Sequence, residues 1–525
     1  MRYLLLIIFF SSCSTGKLNR FQMAYSRPEV QKAAELRSTA TSFLQKHPDG
    51  LWEMYVEGAG LSLGLEQGAL LDSLYRNQEE VFFKQVETLV PGRTKQWLLR
   101  KFLSFYNRKL PCSVLPEFRE EIYGLSRYAT DSLNFIAKPY ARALYLHAAH
   151  DIGHAMQDLA LVGCTSFAVW GEKTLDGGLL IGRNFDFYAG DAFAENRLLS
   201  FVRPSYGYPF ASVSWPGMTG IVSGMNAEGL TVTLNAGKSN LPLTARTPVS
   251  LLAREIIQYA STLEEARSIA QKRRLFVSES LMIGSAKDGK AVLLEISPQK
   301  MGIYEVENAL VCTNHFQSPP YGADKKNEKQ KAESHSLPRF ERVTALLQAS
   351  PKLSPALAAE ILRDRGAPSA PPLGQGNDRA INHLLAHHAV LFEPHKKRIW
   401  VSAPPYNLGA FHAYDLEDVF AEKKIEAKAS LPRDPFFETK EYAQYEEYRQ
   451  LHKEVERATK NKLSLSPETI ASYITLNPEL WLVYYQLGQY YEAMKQKEQA
   501  RMYYESALSR VLPSEKVRAQ IEKRL

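Results

Sequence analysis

The sequence predicts an α+β protein: two packed antiparallel sheets with helices outside them, a helical leader in front and a small all-α domain behind. Three observations predict it. Before about residue 162, apolar residues recur at helical spacing. From Cys164 to about Leu431, short alternating runs and Gly-containing turns dominate, broken by two helices. After Pro432 the composition shifts to Glu, Lys, Gln and Tyr with helical periodicity. The boundaries fall at 1–13, 14–163, 164–431 and 432–525.

The chain has 525 residues, enough for several domains. Its 45% hydrophobic and 23% charged content is ordinary for a globular protein. A net charge of +7 is diffuse at this length, and no basic patch interleaved with aromatics argues for nucleic acid. Cys13, Cys112, Cys164 and Cys312 do not make a disulfide scaffold.

At the start, Arg2 precedes an apolar run from Tyr3 to Phe10. The run is too short to span a bilayer and reads as a secretory signal. Phe10-Ser11-Ser12-Cys13 resembles a bacterial lipoprotein cleavage box, departing from it at Phe10, where an aliphatic residue is usual. The expectation is lipidation of Cys13, membrane attachment through that anchor, and a cell-envelope location on the periplasmic or outer-membrane face.

In the leader, Val30–Leu44, Glu79–Leu89, Lys95–Tyr106 and Glu117–Tyr128 have helical spacing. Gly58-Ala59-Gly60 with Gly64 faintly suggests a phosphate loop, but no strand is read before it and no Lys-Ser/Thr follows. His147, His150 and His154 share one face of an expected helix over 140–160. That spacing can hold zinc, yet no HExxH and no further ligand accompany it. The favoured reading is hydrogen-bonded histidines in a packed layer, with no metal.

Everything else is organised around residues 163–187. Cys164 follows a glycine and opens an alternating run to Trp170. Asp176-Gly177 marks a turn, and Leu179-Leu180-Ile181 resumes toward Arg183, Asn184 and Asp186. This predicts a hairpin that returns those groups beside Cys164. A thiol near a guanidinium is a plausible nucleophile, since positive charge favours thiolate. Further strands are expected at 199–202, 211–215, 220–223, 230–234, 281–285, 291–296, 303–306 and 310–313. One helix starts at Thr247-Pro248, and another at Thr262 with Glu265 in a capping box. Residues 316–337 read as a mobile surface loop and 366–376 as another loop. Residues 389–403 read as a closing hairpin.

Gly163-Cys164-Thr165-Ser166 with Gly182-Arg183-Asn184-Phe185-Asp186 resembles the cysteine-type N-terminal nucleophile (Ntn) hydrolases. The nearest branches are the acyl-CoA:6-aminopenicillanic acid acyltransferases, the choloylglycine hydrolases and the acid-ceramidase-like amidases. Later segments are similar in the same order: 224–235 ending in Asn235, 311–316 containing Asn314, and 336–342 containing Arg339, preferred over Arg342. The resemblance spans roughly 162–414. It implies an αββα sandwich and self-cleavage between Gly163 and Cys164. It also implies catalytic roles for Cys164, Arg183, Asp186, Asn235, Asn314 and Arg339, with no cofactor. The implied partner is a small-molecule N-acyl amide, cleaved through a Cys164 acyl-thioester or used for acyl transfer, with hydrolysis preferred. The leader would be the α-chain or propeptide.

The chemistry stands without the family. An N-terminal cysteine carries its own base, because its α-amine titrates near pH ~8 and can accept the thiol proton. Gly163, lacking a Cβ, suits the strained turn of an N-to-S acyl shift. Asp186 can orient the new ammonium. Arg183 can hold a substrate carboxylate or lower the thiol pKa. Asn235 and the backbone N–H after it can donate to an oxyanion.

At the C-terminus, Trp481–Arg510 resembles one tetratricopeptide repeat through Tyr484, Leu487, Gly488, Tyr491, Ala500, Tyr504 and Ala507. One repeat cannot bury a solenoid core. Residues 441–460 and 467–474 are expected to cap it. The region is read as a packing or self-associating appendage, or else as a partner-binding groove. The rival reading of the whole chain is a non-catalytic envelope lipoprotein scaffold.

Overall fold

The computed structural model describes residues 22–148, 163–238, 245–366 and 372–525. Cys13, His150 and His154 lie outside them. Alternation decides the layers. In the strand Thr165–Val169, Phe167 and Val169 face one way while Ala168 faces the other. In His388–Glu393, Ala389 and Leu391 oppose Val390 and Phe392 in the same manner. Each strand therefore has two apolar faces, and each sheet is covered on both sides.

One sheet has seven strands, in the order Ala309–Cys312, Thr165–Val169, Leu180–Phe185, His388–Glu393, Arg398–Ser402, Phe411–Asp415 and Ala429–Leu431. All its pairings are antiparallel. The other has eleven. Four come from the leader: Gln31–Ala33, Leu36–Ser38, Phe43–Lys46 and Trp52–Gly58. Seven follow from the body, from Leu198–Pro204 to Met301–Tyr304. The inner faces pack together through Ile181, Val390 and Val401 against Phe201, Val213 and Leu293. Helices Gly60–Leu89, Val249–Tyr259 and Leu263–Lys272 cover the larger sheet. Helices Ser336–Ala349 and Pro355–Leu362 cover the smaller. The result is the expected αββα sandwich.

The leader departs from its sequence reading in two places. Val30–Leu44 holds short strands instead of a helix. Trp52–Gly58 is a buried strand running parallel to Leu198–Pro204, the two joining leader and body. Its apolar spacing is too short to distinguish strand from helix, and the pairing partner lies about 150 residues away in sequence. A strand therefore does precede Gly58-Ala59-Gly60. The glycines serve packing: a Cβ on Gly64 would lie 1.9 Å from the Glu121 carbonyl oxygen, so the helices Gly60–Leu89 and Pro116–Ser126 touch backbone to backbone.

The segment 316–337 is ordered, not a mobile loop. Asp324 caps the helix Lys325–Glu333, and the buried Asn327 side chain both donates to and accepts from the Phe316 backbone. The 389–403 hairpin lies within its sheet, paired to Leu180–Phe185 on one side and Phe411–Asp415 on the other.

The C-terminal helices Lys440–Asn461, Pro467–Leu476, Trp481–Ala493 and Lys497–Leu508 share a core with Leu384 and Leu408 of the body. Gly488 meets the Tyr504 ring, where a Cβ would lie 2.5 Å from ring carbons.

Candidate active site

The Asp-Gly turn returns Leu180–Phe185 antiparallel to Thr165–Val169, pairing Ser166 with Arg183 and Thr165 with Asn184. Just before the first strand, the Gly163 N–H donates to the Asp186 carbonyl at 3.1 Å. This register puts Cys164 beside the end of the second strand. The Arg183 guanidinium donates to the Cys164 Sγ at 3.7 Å. It also crosses to the larger sheet, bonding the Val222 and Leu234 carbonyls and the Ser223 hydroxyl. Phe185 lies under it, 4.5 Å from the guanidinium carbon to the ring centre.

The thiol is 1% exposed. Burial pushes it up to about 11, against the pull of Arg183 and a hydrogen bond from the Asp186 backbone. Burial likewise pushes the Asp186 carboxyl up to about 7, opposed by Arg339 and Arg183. Cys164 is thus held as a thiol.

The other three expected residues converge from three different parts of the chain. Ser166 donates to Asn235 Oδ1 at 2.8 Å, joining the two sheets. Asn235 Nδ2 donates to the Cys312 carbonyl at 3.3 Å. Arg339, in the first turn of its helix, donates to the Cys164 carbonyl at 2.6 Å, to Thr165 Oγ1 at 2.7 Å and to Asn314 Oδ1 at 2.7 Å. Asn314 Nδ2 donates to the Ala236 carbonyl at 3.0 Å. All six residues therefore share one site. Arg183 touches the sulfur, and both asparagine amides are engaged with carbonyls in this state. Arg342 points elsewhere, paired bidentately with Asp364 at 2.9 and 2.7 Å.

Sequence reading missed the histidines at the Gly163–Cys164 bond. A Cβ on Gly163 would lie 3.0 Å from the His383 ring and 3.1 Å from the His335 ring. His383 Nε2 is 3.5 Å from Asp186 Oδ2. Burial, aided by Arg339, pushes His383 down to about 3 and His335 well below its ordinary value, so both are neutral at pH 7. Neither sits in a local motif, and a sequence signal for them is lacking.

His147, the one described member of the trio, spends both ring nitrogens. Nδ1 donates to the Ala143 carbonyl at 2.8 Å, and Nε2 accepts the Thr219 N–H at 3.0 Å. Burial pushes it down to about 4. It is a core histidine.

A small apolar cavity of about 30 Å³ is lined by Tyr75, Phe82 and Leu146 of the leader and Phe187, Phe193 and Trp215 of the body. Phe185, Phe187 and Trp215 stack within 13° of parallel, with centroids 5.7 to 6.3 Å apart.

Residues 173–405 match the acyl-coenzyme A:6-aminopenicillanic acid acyl-transferase family. Over those residues the chain is similar to that family. The match takes in Arg183, Asp186, Asn235, Asn314 and Arg339 and begins beyond Cys164. An uncharacterized protein of Archaeoglobus fulgidus is 28% identical over 277 residues, covering 49% of this chain and 45% of that protein. This chain thus spans less than half the length of that curated relative. Among solved structures, a Caenorhabditis elegans N-acylethanolamine-hydrolyzing acid amidase ortholog is 16% identical, covering 44% of this chain and 93% of its own, at a TM-score of 0.33. A variant of the conjugated bile acid hydrolase from Clostridium perfringens is 13% identical, covering 51% and 96%, at a TM-score of 0.35.

Proposed function

We propose that this protein is a self-processing Ntn amidase that cleaves a linear N-acyl amide through a Cys164 acyl-thioester. The observation carrying this reading is the Arg183 guanidinium at 3.7 Å from the Cys164 sulfur, beside an intact Gly163 peptide held by Asp186 and flanked by two neutral imidazoles.

In processing, Sγ attacks the Gly163 carbonyl carbon. An S–C bond forms, the C–N bond breaks, and the thiol proton ends on the new Cys164 amine. In this reading neutral His383, which packs against Gly163, carries that proton. Water then hydrolyses the thioester, leaving a Gly163 carboxylate and a free thiol. In turnover the α-amine takes the thiol proton, and the thiolate attacks the substrate carbonyl. The leaving amine departs with a proton, and water releases the acid. Arg183 stabilises the thiolate. Arg339 fixes the Cys164 backbone, so the amine and sulfur keep one geometry. Asn235 becomes an oxyanion donor by giving up its 3.3 Å bond to Cys312.

Intact mass and N-terminal sequencing of the wild type and of Cys164→Ala test this reading. The wild type is expected as two chains, one beginning Cys-Thr-Ser-Phe, and the variant as one. The mature protein should then release free acid from N-acyl amides. A wild type that stays whole and is not labelled by a thiol-reactive substrate analogue would return the body to a scaffold role.

A further inference from the structure

A second cluster of chemically able groups lies away from the thiol, where the leader meets the body. The leader turn His47-Pro48-Asp49-Gly50 joins the strands Phe43–Lys46 and Trp52–Gly58. It is closed by the Gly50 N–H on the His47 carbonyl at 2.9 Å and the His47 N–H on the Leu51 carbonyl at 2.8 Å. Gly50 takes φ +90°, the left-handed region where glycine is favoured. Facing it is His412, in the strand Phe411–Asp415 of the other sheet, paired with Val401 and Ser430 on its two sides. His412 Nε2 stands 2.7 Å from Asp49 Oδ2, and His47 Nδ1 stands 3.9 Å from the same oxygen. The two imidazole rings are 4.1 Å apart. One ligand atom from each residue lies within 4.8 Å of the other two.

We propose that His47, Asp49 and His412 bind a divalent transition-metal ion of the zinc type, clamping the leader turn to the body. Two imidazoles and one carboxylate suit zinc, cobalt or nickel, whereas calcium and magnesium prefer all-oxygen sites. Tetrahedral coordination with bonds of about 2.0–2.1 Å places ligand atoms about 3.3 Å apart. The 2.7 Å separation must open and the 3.9 Å separation close, each by roughly 0.6 Å. His47 Nδ1 accepts the Asp49 N–H at 3.1 Å, so its lone pair must leave that bond to reach the ion. The Asp49 side chain is 49% exposed, which leaves an entry path and a fourth position for water.

Two rigid elements from different sheets supply the ligands, so the ion cross-links the sandwich at one end. The inference holds whether or not the chain cuts itself. If it does, the ion joins two separate polypeptides.

The test uses the full chain stripped with EDTA and titrated with zinc chloride by calorimetry, beside His47→Gln, Asp49→Asn and His412→Gln. Wild type is expected to bind about one ion and to unfold at a higher temperature as zinc is added. Each variant should bind roughly 100-fold more weakly. Asp49→Asn, at the exposed position, should match wild-type unfolding in EDTA, so a folding defect is separable from a lost ligand. Cobalt(II) should give the intense visible bands of a tetrahedral site in wild type and lose them in Asp49→Asn. Equal zinc affinity in wild type and all three variants, or a wild-type unfolding temperature indifferent to zinc, overturns the proposal.

Discussion

Arg339 donates to the carbonyl oxygen of Cys164 at 2.6 Å, tying that residue's backbone to a helix of the outer layer. The same guanidinium holds Thr165 and Asn314, so three site elements depend on one planar fork. Lysine has no such fork. Arg339→Lys should keep the fold and lower both self-cleavage and amide turnover by about 10²-fold. Arg342→Lys, which only loosens a pair with Asp364, should leave both rates within a few-fold of wild type. Parallel rate measurements decide it, and equal losses in the two variants would remove Arg339 from the site.

Gly163 is confined by two imidazoles, so its lack of a side chain is a steric requirement. A methyl at this position enters contacts of 3.0 and 3.1 Å, which a small ring shift relieves, whereas a branched side chain cannot fit. Gly163→Ala should cut about tenfold more slowly than wild type, and Gly163→Val should remain a single chain. Time courses on denaturing gels read both. Valine cleaving at the wild-type rate would show that the imidazoles do not frame the bond.

The Asp186 carboxyl makes stability depend on pH in an unusual direction. Its folded pKa is raised to about 7, so folded protein retains a proton that unfolded protein loses near pH ~4. The stability this gives is fully present below pH ~4 and is lost as pH rises toward about 7. Relative to Asp186→Asn, wild type should therefore weaken between pH 4 and 7, by up to several kcal/mol on the order of 1.4 per pH unit. The comparison uses Cys164→Ala backgrounds, so that cleavage does not intervene, and denaturant unfolding at each pH. A constant difference across that range would mean the carboxyl is ionised in the folded state.

Leader and body should stay together after any cut. Trp52–Gly58 pairs along its whole length with Leu198–Pro204, and the helix Gly60–Leu89 covers the same sheet. Separating them exposes a sheet edge and a large apolar face. Both fragments should elute as one species in native gel filtration and resolve only under denaturation. A leader that leaves the native protein would contradict the pairing.

The hairpin around Asp176-Gly177 was legible in the sequence because its turn chemistry and alternation are both local. Arg183 and Asp186 were read from the same hairpin, whereas Asn235, Asn314 and Arg339 were picked out only by resemblance to a family, each through a short segment in a fixed order. The leader strand Trp52–Gly58 was not legible, since its state depends on a partner about 150 residues distant. His335 and His383 were equally hidden. They reach Gly163 from separate segments, and only the packed fold brings those together.

Leu384, next to His383, is buried in the core of the C-terminal helices. Asn477 clamps the same segment from outside, accepting from the Gln375 N–H at 3.1 Å and donating to the Gln375 carbonyl at 2.8 Å. The Asn377 side chain adds a bond to the Val511 carbonyl at 3.0 Å. The C-terminal helices therefore hold the segment that delivers His383 to the Gly163–Cys164 bond. Removing the paired Asn477 bonds should cost about 1–3 kcal/mol locally, while the helical core around Tyr473 and Leu487 stays intact. Asn477→Ala should slow self-cleavage by three- to tenfold, roughly the share of that cost felt at the bond. Its far-ultraviolet circular dichroism should match wild type. An unchanged cleavage rate in a well-folded variant would make the C-terminal helices an appendage with no part in the site.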